Sequence, residues 1–141
     1  MQLSKHFSLE ELTHTDHRTL DNTPTDAELA NLVRLTEFLE VIKAILGGKP
    51  IMINSAFRSK AVNDAVGSKD SSQHRTGCAA DIRVPGMTPD EVVKAIRSAD
   101  LEYDQVIREH DRWTHVSIPF EGVAPRKTAL VIDRSGTRAY V

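Results

Sequence analysis

Cysteine is almost missing from this chain: Cys78 is the only one. A single thiol makes neither an internal disulfide nor a thiolate metal cluster, so nothing in the fold calls for an oxidising compartment. No basic block or stripe appears; acids and bases are interspersed and the net charge is −2, which argues against a nucleic-acid partner. No window approaches the ~18 apolar residues a bilayer span requires. The opening Met1–Phe7 also lacks the apolar stretch of a signal peptide. The expectation is synthesis in the cytoplasm without membrane insertion, with any action outside following lysis-type release or incorporation in a virion. Repeats, low-complexity tracts and linkers are likewise absent. At 141 residues the expected organisation is one domain, 1–141, long enough to bury a core without staples.

What is present reads as alternating helices and short strands. Ser8 with Glu11, Thr25 with Glu28 and Thr88 with Glu91 each have the spacing of a capping box and mark helix starts. Pro89 suits the first helical position of the third. The helix from Thr25 is the longest: Leu32, Leu35, Leu39, Ile42 and Leu46 recur at helical spacing. Gly47-Gly48 and Pro50 end it. A short strand is expected over Ile51–Ile53, a short helix over 59–66, and a polar loop over 67–72. Further strands are expected over 79–84, 104–109 and 113–118, and a terminal hairpin over 127–141 around Ser135-Gly136. This order implies an α+β fold.

Three residues carry chemistry when read together: His74 and Asp81, in the run Ser71–Ile82, and His115, in Trp113-Thr114-His115-Val116-Ser117. Two imidazoles and one carboxylate, if they converge, are a zinc-ligand set with a fourth position free. Closed structural sites use four protein ligands, whereas an open three-ligand site holds water and does chemistry. Cys78, four residues after His74 and between Gly77 and Ala79, reads instead as a small buried residue. His6, His14, His17 and His110 have no comparable context and read as surface or loop residues. If His110-Asp111-Arg112 is a three-residue turn, Glu109 faces Trp113 and Ile107 faces His115, so Glu109 and His115 share a sheet face. A four-residue turn throws Glu109 to the other face.

The run Ser72-Gln73-His74-Arg75-Thr76-Gly77-Cys78-Ala79-Ala80-Asp81 resembles the S-x-H-x-x-G-x-A-x-D segment of the M15 zinc peptidases. That family includes D-alanyl-D-alanine carboxypeptidases, D,D-dipeptidases and phage L-alanyl-D-glutamate endolysins. Ser55-Ala56-Phe57-Arg58 is similar to the family's S-x-x-R segment. Tyr103–Glu109 and Trp113–Ser117 resemble its closing strand pair, and Phe7–Leu12 the start of small phage and prophage members. The resemblance covers about residues 5–120. It implies an antiparallel sheet with flanking helices, shared with the hedgehog signalling domain. It also implies zinc held by His74, Asp81 and His115, Glu109 as general base, Arg58 at the substrate carbonyl or oxyanion, and Ser72 and Trp113 on the substrate. The implied substrate is a peptidoglycan stem peptide. One departure stands out: many members place an acid three residues before the last His, and here that position is Arg112, which cannot be a base at neutral pH. Asp111 competes with Glu109 for the role. A non-catalytic zinc- or wall-binding module on the same scaffold is the alternative, and the oligomeric state is open.

Overall fold

The computed structural model describes residues 1–141. Helices α1 (Leu9–Leu12), α2 (Asp26–Ile45) and α4 (Pro89–Ser98) start as expected. Ser8, Thr25 and Thr88 each accept from the backbone N–H three residues on, and Glu11, Glu28 and Glu91 reach back to the cap N–H. Two backbone donors at each helix start are thereby satisfied. Helix α3 (Lys60–Ala65) is capped by the Ser59 hydroxyl alone. Leu32, Leu35, Leu39, Ile42 and Leu46 of the α2 stripe are all buried; each such side chain contributes roughly 1.5–3 kcal/mol on leaving water, so packing fixes this helix. No helix is long and apolar enough to cross a membrane.

The strands are β1 (Met52–Ser55), β2 (Ala79–Arg83), β3 (Gln105–Glu109), β4 (Trp113–Ser117), β5 (Thr128–Asp133) and β6 (Gly136–Ala139). They form one sheet in the order β1-β2-β4-β3-β5-β6, giving the expected α+β architecture. One pairing departs from an all-antiparallel sheet: β3 and β5 run parallel, Gln105 opposite Thr128 through Glu109 opposite Ile132. After β4 the chain crosses the end of the sheet through residues 118–127 and enters β5 beyond β3. That step spans two strand spacings, about 10 Å, which a loop of this length covers easily. Strand β5 therefore returns antiparallel to β4 and parallel to the strand between them. The terminal hairpin pairs Asp133 with Gly136, and the Tyr140 hydroxyl ties it to α4 by donating to Asp90 Oδ1 at 2.6 Å.

Alternation gives the sheet two unlike faces. Ala80, Ile82, Val106 and Val116 join α2 and α4 in the hydrophobic core. Asp81, His115, Ile107 and Glu109 fall on the other face. The register places Asp81 opposite His115, His115 opposite Ile107, and Glu109 opposite Trp113.

A single turn of 3-10 helix, Gln73–Thr76, carries His74. Helix α2 holds it down: Asn31 Nδ2 donates to the Thr76 carbonyl at 3.0 Å, and Arg75 pairs with Glu28. Gly77 ends the turn at φ 83°. A Cβ there would stand 2.8 Å from the Glu28 carbonyl oxygen and 3.2 Å from Leu32 Cγ. Gly77→Ala is expected to lower stability by at least ~1–2 kcal/mol, the cost of a left-handed non-glycine residue, with the backbone clash in addition. It should also weaken metal binding, because the turn must lift off α2. Thermal melts with and without zinc check both; a melting curve like the unsubstituted protein's would refute this account of the turn.

Candidate metal centre

His74, Asp81 and His115 are all buried, and one ligand atom from each lies within 4.8 Å of the others. Asp81 is the hub. Its Oδ1 stands 3.0 Å from His115 Nδ1 and 3.3 Å from His74 Nε2. The two rings meet edge to face at 5.1 Å. Three ionisable groups from β2, β4 and a separate turn are thus collected out of water, which is costly unless they compensate one another or bind a cation.

The tautomer of His74 follows from its neighbours. Its Nδ1 lies 2.7 Å from the Ala56 carbonyl oxygen, which can only accept, so Nδ1 carries the hydrogen and Nε2 is the nitrogen that, in the neutral ring, offers a lone pair to the centre. Such a second partner is what orients a metal-binding imidazole. The donor set fits zinc: with bonds of about 2.0–2.2 Å, the corners of a tetrahedron stand about 3.3–3.6 Å apart. The Asp81 contacts, at 3.3 and 3.0 Å, are already close to that edge. Burial pushes the Asp81 carboxyl up, but the charges and hydrogen bonds of His74 and His115 outweigh it and hold the group well below the usual carboxylate range. It is an anion facing two imidazoles, ready to help hold a divalent ion.

Glu109 stands at the edge of this cluster, with Oε1 4.0 Å from His115 Nδ1. Its placement depends on the turn after it. Residues 110–112 form the three-residue turn, with Arg112 N–H donating to the Glu109 carbonyl at 3.0 Å and positive φ at His110 and Asp111. Asp and His are among the residues that tolerate this conformation. Burial raises the Glu109 pKa, and the Asp81 charge adds to it, against the opposing pull of His115, Trp113 and Arg58. The Trp113 indole N–H leans toward this carboxylate but falls outside hydrogen-bond geometry and has no other partner. Asp111 goes elsewhere: exposed, it takes Arg108 Nε from the strand position adjacent to Glu109, hence from the opposite sheet face.

Arg58 reaches in from beyond β1. Its guanidinium lies 3.6 Å from Asp81 Oδ2, and its Nε donates to Ser55 Oγ at 3.2 Å. Ser72 caps the ligand turn, accepting from the His74 N–H at 3.3 Å. Trp113, half-buried opposite Glu109, rests against His110 at 5.6 Å between ring centres. Cys78 is buried and in the core. His14 and His17 are loop residues as expected, yet they line a small groove with Ser55 and Arg58.

Several supports of the site carry little sequence signal. An irregularity between Ile53 and Ser55 leaves Asn54 as an extra residue and sets Ser55 opposite Asp81; such bulges re-aim side chains beside functional sites. The Ala56 carbonyl carries no side-chain signal at all. Gln73, next to His74, donates to Asp104 Oδ2 at 2.9 Å and to the Ile118 carbonyl at 3.3 Å. Asp104 in turn accepts from Arg126 through the main chain and the guanidinium.

Arg126 lowers the Asp104 pKa against the upward push of burial. A depressed carboxylate stabilises the fold above its unfolded pKa of about 3.9 and loses that contribution as pH falls through the folded value. Arg126→Ala should therefore lower Tm most near neutral pH, and the difference should close in acid. A pH-independent difference between the two melting series would refute the coupling.

The chain matches the Peptidase M15 family over residues 5–117, which spans the ligand turn, β2 and all of β3 and β4. No curated protein matches it. Members of that family are metallopeptidases and are typically zinc-dependent. With a buried His-Asp-His cluster present where such an ion fits, and the match covering most of its length, this chain belongs to the M15 peptidase family.

Proposed function

We propose that the protein is a zinc-dependent peptidase that hydrolyses peptidoglycan stem peptides, of D,D-carboxypeptidase or L-Ala-D-Glu endopeptidase type, acting as a phage or prophage cell-wall lysin. The observation that carries this reading is the position of Glu109: a half-buried carboxylate 4.0 Å from His115 Nδ1, beside three converging ligand atoms and outside the set itself. A residue meant only to balance charge would sit within the cluster. One that accepts a proton from solvent held at the free position would stand just off it, as Glu109 does.

In this reading His74, Asp81 and His115 would hold zinc, which would supply an acidified water and a Lewis acid. Glu109 accepts the proton as the scissile carbonyl is attacked. Its burial, which disfavours the charged form, favours the taking up of that proton and its delivery to the leaving amine. Arg58 carries its charge toward the oxygen on which negative charge develops, a contribution that grows only in the transition state. To do so its guanidinium exchanges the Asp81 contact for the substrate. Ser72, already committed to capping the ligand turn, meets substrate through its free lone pair. Trp113 offers an apolar wall.

The decisive experiment is digestion of purified sacculi by the zinc-loaded protein, with and without chelator, followed by mass spectrometry of the released fragments. Release that stops on chelation and resumes with added zinc is the expected result, and the fragment masses identify the bond cut. Stoichiometric zinc with no release would instead identify a non-catalytic module.

A further inference from the structure

Resting on the peptidase reading, we infer that the two turns beyond Glu109 form a substrate subsite for a carboxylate, with Arg112 and Arg134 as its recognition residues. The sheet register brings these turns together. Glu109 lies opposite Trp113 on one side and Ile132 on the other, so the β3–β4 turn starts one residue past this row, at His110, and the β5–β6 turn two residues past it, at Arg134. His110 N–H donating to the Ile132 carbonyl at 2.8 Å locks them. Between them lies a cavity of about 600 Å³ lined by Arg112, Trp113, Arg134 and Ser135 together with His110, Asp111 and Asp133. Trp113, which pairs with Glu109 across the strands, links it to the centre. Arg58 follows β1, and the β5–β6 turn lies toward the opposite edge of the sheet, so the two flank the centre from either side.

The charges of the cavity are not balanced in pairs across it. Each aspartate already has an arginine of its own: Asp111 takes Arg108, and Asp133 takes both nitrogens of Arg138, with Oδ2 at 2.7 Å. Arg112 and Arg134 have no such partner. Two unpaired guanidiniums beside the half-buried face of Trp113 make a site for an anion with an apolar stem. A planar fork matches a carboxylate better than an ammonium does. On a peptide substrate the anion of that shape is a side-chain or terminal carboxylate. Strands β5 and β6, which carry Arg134, lie beyond the matched segment, which ends at residue 117.

The test uses the zinc-loaded protein and synthetic stem peptides in which each carboxylate is amidated in turn. For the wild type, one of these amidations should raise KM roughly ten- to a hundredfold with kcat little changed, as expected for loss of a charge-assisted hydrogen bond. In the Arg112→Ala/Arg134→Ala double variant the free acid and the amide should differ by no more than about twofold, while Arg134→Lys should recover part of the preference, because a point charge keeps attraction without the fork. Equal KM for all peptides in the wild type, or a preference that survives in the double variant, would overturn the assignment. Failure of the peptidase reading is visible separately, as absence of cleavage of any peptide and of sacculi. In that event calorimetric titration of the same peptides into the Glu109→Gln variant decides the subsite, and no binding, or binding indifferent to amidation, overturns it.

Discussion

Glu109→Gln is expected to keep the fold and bind zinc stoichiometrically while losing roughly 10²–10⁴-fold in kcat, the usual worth of a positioned general base. The amide has nearly the shape of the acid but cannot take the proton. Folding should not suffer. Glu109 is half-buried beside the Asp81 anion, and burial followed by that charge raises its pKa, so removing the negative charge relieves a repulsion. The Tm of the metal-free variant should equal or exceed that of the parent. Asp111→Asn is the control, since Asp111 is engaged by Arg108 on the other face of the sheet; its kcat should stay within a few-fold. Steady-state kinetics on a stem peptide, elemental analysis and a melting curve give the three readouts. Turnover by Glu109→Gln close to that of the parent would remove Glu109 from the mechanism, and loss of turnover in Asp111→Asn alone would transfer the role to Asp111.

His74→Ala should fail differently, losing metal and turnover together. The imidazole is held by the Ala56 carbonyl on one side and meets Asp81 on the other. Removing it deletes a ligand and leaves both partners short of a hydrogen-bonding group in a buried place. Loss of a supporting partner typically lowers metal affinity ~10–100-fold, so loss of the ligand itself should exceed that. The fold should also lose about 1–3 kcal/mol from the groups left unsatisfied. Zinc content after gel filtration, measured by elemental analysis, is the direct check; full occupancy in His74→Ala would exclude this residue from the ligand set. The pair of substitutions separates the two parts of the site, because a base and a ligand differ in whether metal survives their loss.

Much of this arrangement was readable in one dimension. The capping boxes at Ser8, Thr25 and Thr88 are local, each closing within four residues, so spacing alone reveals them. The α2 stripe is periodic and was legible for the same reason. The facing of Glu109 was legible only as a condition: one turn length decides which side of a sheet a residue occupies, and the structure supplies the three-residue turn. The supports were not legible. The extra residue at Asn54 breaks the alternation that a strand reading relies on. The parallel return of β5 depends on where a loop crosses. Asp104 reads as an ordinary strand-start acid until Gln73 and Arg126 close on it.

By itself, the order of residues determined which segments are helix or strand, which stripe of α2 is apolar, and which side chains have metal-binding chemistry. Those properties arise from hydrogen bonds and periodicities within a few residues. Only the tertiary structure decided that His74, carried on a turn pressed against α2, meets Asp81 and His115 from the sheet, and that Asp133, Arg134 and Ser135 share a cleft with Trp113, the strand partner of Glu109. Contacts of that kind form between points far apart in the chain. They are selected by how well whole elements bury one another, a quantity no local spacing encodes.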